Sequence, residues 1–404
     1  MAEAAEAFRV LTDPATPSLG ILLTYPERPG RSATTIGLAA APATEGATDR
    51  ATDGATTGAT DAAATRPRAV SLVGAGSFAT RVLVPALVAD GRLRLDTVVT
   101  RAGAAAGHVG RRAGFARAAS DPAAAFDPAR VGAAVIATRH DSHPDLVAQA
   151  LQAGLAVLVE KPLAVDEAGL GRVLRAWRQH PGALLVGFNR RFAAPVRALL
   201  AALPARTAPG MVAIRVAAAR LDPHHWAQDE REGGGRIAGE LCHFVDLAAH
   251  LLGQAPAGVY ARRADARGPR LANHVAVLLD FPDGSTAALQ YHALGGAGMP
   301  KELVEAAWDG ASGQIDDFKV TRTWTGGRSR VRRWRRQDKG HRAEVAAFVD
   351  WVCGGQPAWD PRDGLVATAA TLAVLRSLAA GERIEVAAVL DAAAAAAGVD
   401  AGWA

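Results

Sequence analysis

The sequence has few cysteines and few lysines, and each shortage narrows what the protein can be. Its 404 residues include two cysteines, Cys242 and Cys353, which excludes a disulfide framework or a cysteine-built zinc site and fits a reducing compartment. Only four of the 45 basic residues are lysines. Because the formal net charge is +5 and the arginines are scattered, the arginine excess indicates coding bias rather than a nucleic-acid partner. The few lysines stand out, since lysine can release a proton in a protein and arginine cannot.

The sequence also lacks segments that direct a chain into a membrane or out of the cell. The first residues, MAEAAEAF, have neither the basic start nor the apolar core of a signal peptide. No apolar stretch reaches the ~18 residues needed to cross a bilayer. We therefore expect a cytoplasmic protein with no membrane partner.

The length predicts two packed domains with additional segments. Residues 1–41 form an N-terminal segment with a helix–turn–strand pattern. Residues 42–66 are rich in Ala, Thr, Gly and Asp, and they predict a disordered linker because they offer almost nothing to bury. Order is expected to begin at Arg68.

Apolar runs and helical patterns alternate through residues 67–190. The apolar runs are Ala69–Val73, Leu95–Thr100, Val131–Thr138, Ala156–Val159 and Leu184–Gly187. This alternation predicts an α/β domain with a doubly wound parallel sheet. Longer alternating runs from about Gly210 predict that residues 191–385 form an α+β domain with an open, largely antiparallel sheet. Residues 386–404 are an Ala-rich tail that favours a helix.

A glycine-rich motif follows the first apolar run. Gly74, Gly76 and Ala79, with Ser77 and Phe78 between them, form a GxGxxA pattern. The glycines permit a tight turn and close approach of the backbone to a pyrophosphate, which then faces a helix N-terminus. Its place between a strand and a helix favours a Rossmann domain that binds NAD(P) at these five residues. The segments before Arg68 should then be dispensable for cofactor binding.

The end of the second strand bears on the choice between NAD and NADP. An NAD site would have Asp or Glu here for the ribose 2′-hydroxyl, but the chain has Thr100 and Arg101 and no acidic residue until Asp121. A hydroxyl followed by a guanidinium suits a 2′-phosphate, with Arg111 or Arg112 as a helper. NADP is therefore favoured over NAD. The alternative is that Arg101 lies on a solvated surface.

Two further motifs lie at the ends of the apolar runs Val131–Thr138 and Ala156–Val159. Ligands of an open α/β sheet bind at the carboxyl ends of its strands. We therefore expect two pairs of residues to line the cofactor site: Thr138 and His143 at and just after the end of the first of these runs, and Glu160 and Lys161 of an EKP triplet after the second.

Several motifs in order carry a resemblance to a known family. They are EKP, GFNRRFAAP (187–195), GGGRIAGELCHFVDL (233–247), MPKELVE (299–305) and DKGHRAE (338–344). Over residues 68–385 the chain resembles the Gfo/Idh/MocA family. The resemblance implies an NAD(P)-dependent enzyme, working without metal, that interconverts a secondary alcohol and a ketone on a sugar, cyclitol or related metabolite by hydride transfer. A bound-cofactor lyase, hydrolase or epimerase and a non-catalytic dinucleotide sensor are the alternatives. Residues 5–27 resemble the last segment of a zinc-type medium-chain alcohol dehydrogenase.

The same resemblance assigns the catalytic residues. It places Lys161 against the nicotinamide and the substrate hydroxyl, where a proton must move as the hydride leaves carbon. His243 matches the family's histidine, with a satisfied core histidine as the alternative. Many members have an aspartate four residues before that histidine, but this chain has Gly239, followed by Glu240. Either Glu240 substitutes for the aspartate or Lys161 and His243 act without it.

Other polar residues are candidates for binding a polyhydroxylated small molecule: Asn189, Arg190, Arg220, Trp226, His243, Tyr291, His292 and Lys301. The run Arg328–Arg336 favours an exposed strand over a nucleic-acid patch. His224 and His225 have no metal-ligand spacing. We expect a homo-oligomer that assembles through the C-terminal sheet.

Overall fold

The computed structural model describes residues 34–38, 67–264, 273–296 and 298–400. The resemblance of residues 5–27 to an alcohol dehydrogenase lies outside the described residues, as does the predicted linker at 42–66.

The first sheet is the predicted Rossmann sheet, extended by one strand. Its order is β1-β4-β3-β2-β5-β6-β7, and β2 to β7 are all parallel. The strands are β1 (Thr35–Gly37), β2 (Ala69–Val73), β3 (Arg94–Val99), β4 (Arg117–Ala119), β5 (Ala133–Ile136), β6 (Ala156–Val159) and β7 (Leu184–Val186). The helices between them are α1 (Val84–Asp90, after a π-helical turn at Ala79–Leu83), α2 (Gly103–Ala113), α3 (His143–Gln152) and α4 (Glu167–Gln179). Helices cover both faces, so β2, β5 and β6 are buried throughout.

Strand β1 corrects the expectation that order begins at Arg68. It pairs antiparallel with β4 at the edge of the sheet, and the Leu38 amide donates to the Ala116 carbonyl at 2.9 Å. The Leu38 side chain fills the space above Gly110, where a Cβ would overlap it. A three-residue edge strand is too short to show hydrophobic periodicity, which is why the sequence did not reveal it.

The second sheet has nine strands in the order β15-β14-β13-β12-β8-β11-β10-β9-β16. They are β8 (Met211–Ala217), β9 (Gly258–Arg263), β10 (Val275–Asp280), β11 (Thr286–His292), β12 (Glu302–Trp308), β13 (Ala311–Asp316), β14 (Val320–Thr325), β15 (Arg328–Arg333) and β16 (Ile384–Glu385). Only the β8–β11 pair is parallel among these described strands, which confirms the largely antiparallel sheet. Burial alternates along β10 and β11, so one face is packed and the other open. Every residue of the arginine-rich β15 is exposed.

Helices α5 (Ala194–Ala202), α6 (Cys242–Leu252) and α8 (Pro361–Ala380) cover the packed face of this sheet. Helix α8 is long and apolar enough to cross a membrane by length and composition, with a mean hydropathy of 1.3 over its most apolar window. That window is 67% buried inside the fold, and α8 packs against β9 and α6. It is a core helix of this domain.

Helices α7 (His341–Val352) and α9 (Val386–Ala396) pack on the Rossmann domain, and α9 also contacts α8. Helix α7 lies against α1, and α9 lies against α4. At Gly171 a Cβ would overlap the Ala393 carbonyl, and Val389 and Leu390 are buried. Residues 386–396 of the Ala-rich tail are therefore packed into the fold.

Candidate active site

The glycine motif forms a tight turn at the carboxyl end of β2. Gly74 has φ +91°, and a Cβ there would overlap the Ala137 carbonyl at the end of β5. Gly76 faces open space, Ser77 and Phe78 are exposed, and Ala79 is buried against the sheet. A bare turn that leads into a helix N-terminus, with nothing over its second glycine, fits the pyrophosphate of a dinucleotide.

The end of β3 carries no acidic group toward this turn. The Thr100 hydroxyl donates to the Ala102 carbonyl at 2.6 Å, and Arg101 is exposed immediately before α2 begins. The carboxylate of β3, Asp96, is buried and paired with Arg94, Arg117 and Arg130. An exposed guanidinium with no neighbouring carboxylate in this loop is suited to a phosphate.

His143, a predicted cofactor contact, is fully buried. Its Nδ1 lies 2.8 Å from the Pro162 carbonyl, and its Nε2 lies 3.3 Å from the Thr138 carbonyl. Burial lowers the pKa of His143 to about 4, so the ring is neutral at neutral pH. It ties the loop after β5 to the EKP turn, and it thereby positions Lys161. The half-buried Thr138 hydrogen-bonds Ser142 through its hydroxyl at 2.7 Å.

Lys161 joins the two domains at the centre of the candidate site. Its Nζ donates to the Gly239 carbonyl at 2.6 Å, in a π-helical turn (Ile237–Leu241) that leads into α6. His243 follows on α6, 6% exposed, and its Nδ1 has no hydrogen-bond partner among the described residues. Burial, and then the charges of Arg190 and Lys161, holds the pKa of His243 well below its usual range. Neutral His243 therefore lies within the electrostatic reach of the Lys161 ammonium.

Glu240 is fully occupied by protein partners. Its carboxylate accepts from Arg236 at 2.7 Å, from the Lys301 ammonium and from the Tyr291 hydroxyl. Burial raises the pKa of Glu240, but the charges of Lys301 and Arg236 outweigh burial and hold this pKa well below its usual range. Glu240 is thus a fixed anion, poorly suited to replace a proton-accepting aspartate. Tyr291 and Lys301, both predicted substrate contacts, are brought together on it.

Asn189 and Arg190 are also committed to protein partners. The Asn189 amide donates to the Lys339 carbonyl at 2.7 Å. Arg190 is 5% exposed and forms a bidentate pair with Glu302, with hydrogen bonds of 3.1 and 2.8 Å. Lys339 adds a second cation at 2.8 Å from Glu302. Arg190 and Lys339 together neutralise the buried Glu302 carboxylate, and the Asn189 amide is occupied by the Lys339 carbonyl.

A loop of the second domain crosses over the end of β5. We call residues 219–236 the crossing loop. Its Trp226 is half-buried, with the Arg139 guanidinium 3.9 Å from the ring centroid. Glu232 pairs with Arg139 at 3.0 Å and accepts from the Asp141 amide through its carbonyl at 3.2 Å. Arg220, at the start of this loop, is exposed.

Glu160 lies behind the site instead of lining it. It is 9% exposed, and a Cβ on Gly187 would lie 3.1 Å from each of the Glu160 carboxylate oxygens. Burial raises the pKa of Glu160 to about 7. Glu344 of α7 is fully buried, and neither of its carboxylate oxygens has a hydrogen-bond partner among the described residues. Burial and the neighbouring Glu160 raise the pKa of Glu344 well above its usual value.

The remaining candidates lie at the margin of the site. His224 and His225 are exposed on the crossing loop, and His292 is half-buried at the end of β11. Within the described ranges, no three His, Cys, Asp or Glu side chains converge in a way that could hold a metal ion. The sequence analysis did not single out four residues of this region: His140, Glu302, Lys339 and Glu344. The available signals were the position of His140 at a strand end and the positions of the other three within the motifs MPKELVE and DKGHRAE.

Comparison with known proteins finds inositol dehydrogenases among the relatives of this chain. The inositol 2-dehydrogenase of Rhizobium meliloti (strain 1021) is 26% identical over 272 residues, or 64% of this chain and 82% of the relative. Myo-inositol dehydrogenase Hyg17 of Streptomyces leeuwenhoekii is 29% identical over 270 residues, or 62% of this chain and 79% of that protein. The crystal structure of GenD2 from gentamicin A biosynthesis, in complex with NAD, has a TM-score of 0.65 at 25% identity, covering 82% of this chain and 99% of its own.

Two family models match in succession and together span more than half of the chain. The Gfo/Idh/MocA oxidoreductase model, described as an NAD-binding Rossmann fold, matches residues 68–188, and the Gfo/Idh/MocA C-terminal domain matches residues 208–302. With the fold already established from its strands, the chain belongs to the Gfo/Idh/MocA family and is an oxidoreductase with an NAD-binding Rossmann domain.

Proposed function

We propose that the protein interconverts a secondary alcohol and a ketone on a cyclitol or sugar, with NAD(P) as cofactor, in the cytoplasm. The observation that carries the proposal is the contact between Lys161 and Gly239, which brings an ammonium from the Rossmann sheet next to the neutral His243. Similarity to inositol dehydrogenases supports a polyhydroxylated ring as substrate.

The site residues divide the chemistry between them. Oxidation of an alcohol removes a hydride from carbon and a proton from oxygen, and a bound nicotinamide dinucleotide supplies the hydride acceptor. The turn from Gly74 to Ala79 would hold its pyrophosphate. In alcohol oxidation a neutral Lys161 amine accepts the hydroxyl proton, and in ketone reduction the Lys161 ammonium gives a proton to the oxygen, with His243 assisting the transfer. His243 suits this role because it is neutral and its buried Nδ1 has no hydrogen-bond partner among the described residues.

Replacement of Lys161 tests this assignment. Arg keeps the charge but cannot release a proton, so Lys161→Arg and Lys161→Met should both lose roughly 10²–10⁴-fold in kcat, with NADPH affinity retained. The exposed Lys319, paired with Asp317, provides the matched control Lys319→Arg. The assay is turnover on a panel of polyols and sugar ketones with both cofactors. Near-normal turnover of Lys161→Arg would move the proton chemistry to His243.

The panel also separates the alternative reactions. Product formation without net change in NAD(P)H absorbance would indicate transient oxidation, as in a lyase, hydrolase or epimerase. Cofactor binding without turnover on any substrate would indicate a dinucleotide sensor.

We further propose NADP as the preferred cofactor. The exposed Arg101 next to Thr100, in a loop with no carboxylate, supports the preference because a guanidinium can bind a 2′-phosphate in a bidentate manner.

We also propose that the open face of the second sheet joins copies of the chain. Ala213, Leu278 and Ala288 are neighbours in register on this face, and all three are exposed. Leu278→Arg should lower the mass measured by light scattering, whereas Ser329→Arg on the edge strand β15 should not. An unchanged mass for Leu278→Arg would contradict the interface.

A further inference from the structure

His140 is a buried imidazole at the meeting point of three segments. It follows β5 directly, is 7% exposed, and its Nδ1 lies 2.7 Å from the Gly233 carbonyl of the crossing loop. Its ring contacts the edge of Trp226 with centroids 4.7 Å apart. The crossing loop therefore fixes this ring from two sides.

The third segment is the turn that Lys161 binds. A Cβ on Gly239 would lie 3.1 Å from Cε1 and 3.6 Å from Nδ1 of His140. The imidazole thus occupies the space that a side chain at position 239 would require. The Lys161 ammonium donates a hydrogen bond to the carbonyl of that same glycine, so the imidazole ring and the ammonium are neighbours.

The hydrogen bond to Gly233 determines which ring nitrogen carries the proton. A carbonyl only accepts, so Nδ1 must donate. Burial, and then the charge of Lys161, lowers the pKa of His140 to about 3. The ring is therefore neutral, and its Nε2 carries an unshared lone pair.

We propose that His140 is a specificity-determining residue of the active site, whose Nε2 accepts a hydrogen bond from a substrate hydroxyl beside Lys161. The crossing loop locks the ring in the Nδ1–H form, and the absence of a side chain at Gly239 makes room for it. The inference deepens the proposed function and rests on it. His140 Nε2 would then be a free hydrogen-bond acceptor in this part of the site. Glu240 cannot take that role, because its carboxylate already accepts from Arg236, Lys301 and Tyr291.

The first arm of the test needs no substrate. Long-range nitrogen–proton NMR correlations of the full chain distinguish the two imidazole tautomers, and the signal that disappears in His140→Asn identifies the residue. The expected result is the Nδ1–H tautomer, unchanged across neutral pH. The Nε2–H tautomer or a charged ring would overturn the proposal, whether or not any substrate has been found.

The second arm of the test separates the proposed acceptor role of His140 Nε2 from the structural role of its hydrogen bond to Gly233. His140→Asn retains an N–H that can donate to Gly233 but removes Nε2, so KM for the substrate should rise about five- to tenfold for one lost hydrogen bond. Neither kcat nor NADPH affinity should change much. Gly239→Ala should raise KM in the parent chain, because it crowds the ring, and should add nothing to His140→Asn. An unaltered KM in His140→Asn would overturn the proposal while turnover of the parent keeps the proposed function intact.

Discussion

The buried pair Glu160 and Glu344 should make the stability of the protein depend on pH near neutrality. Both carboxyl groups lie in the core behind Lys161, and Glu344 has no hydrogen-bond partner among the described residues. Replacing both with glutamine removes the charges that would form there while keeping the shape of the side chains.

The magnitude follows from Glu160. Its pKa is raised from 4.5 to about 7, and a carboxyl group with a raised folded-state pKa stabilises the fold below its unfolded pKa. That stabilisation is lost as pH rises through the folded pKa. The window therefore runs from 4.5 to about 7, and the shift corresponds to roughly 3 kcal/mol. Glu344, whose pKa is raised well above its usual value, adds a decline that begins in the same window and continues to higher pH.

The assay is denaturant unfolding of the full chain without cofactor, at several pH values between about 5 and 8. The buried histidines act in the opposite direction, because burial lowers the pKa values of His140, His143 and His250. Each variant is therefore compared with the parent at every pH. The free energy of unfolding of Glu160→Gln/Glu344→Gln, relative to the parent, should rise by more than roughly 3 kcal/mol across the window, because Glu344 adds to the contribution of Glu160.

Two further variants make the result specific. Glu344→Gln alone leaves Glu160 to titrate, so the part of the decline that comes from Glu160 should remain. Glu382→Gln changes the same charge on an exposed residue and should parallel the parent. A free-energy difference between parent and double variant that is independent of pH would refute the reasoning, since it would mean that folding does not shift the pKa of either carboxyl group.

Three other outcomes can be measured directly. Arg101→Asp should weaken NADPH binding about 10–100-fold and spare NADH in fluorescence titrations, because a like charge replaces a phosphate partner; equal effects on both cofactors would contradict the NADP proposal. Leu38→Asp should lower the free energy of unfolding by about 1–3 kcal/mol, unlike Leu38→Met, because Leu38 packs over Gly110; no difference between the two would show that β1 is not stably docked. Ending the chain after Glu385 removes α9 and should lower the denaturation midpoint, because buried Val389 and Leu390 are lost; an unchanged midpoint would be inconsistent with a core role for α9.

The sequence analysis predicted the strands in which every residue is buried. Strands such as Ala133–Ile136 are buried on both faces and read as unbroken apolar runs. The turn at Gly74 was predictable because its backbone conformation is one that glycine favours. Strand β1 was missed because backbone pairing at an edge leaves little mark on composition. The docking of α9 was missed because alanine favours a helix wherever that helix lies.

The sequence predicted the residues at the centre of the candidate site, but it did not predict which residues pair with one another around them. Lys161 and His243 were found because short motifs mark them. The occupation of Arg190 by Glu302 was not predictable, since the two residues are separated by 112 positions and nothing local specifies the pairing. The same holds for His140, whose surroundings come from the crossing loop of the other domain.

The docking of α9 on α4 has a consequence for how the chain is made. The Arg175 side chain of α4 donates to the Ala397 carbonyl just after α9 at 2.5 Å, across 222 positions of sequence. During synthesis this face of α4 therefore stays uncovered until residue 397 has also left the ribosome. Contacts of such long sequence separation form slowly, and domains that emerge first normally fold first. The packing of α4 is therefore completed late, after the intervening second domain has been made.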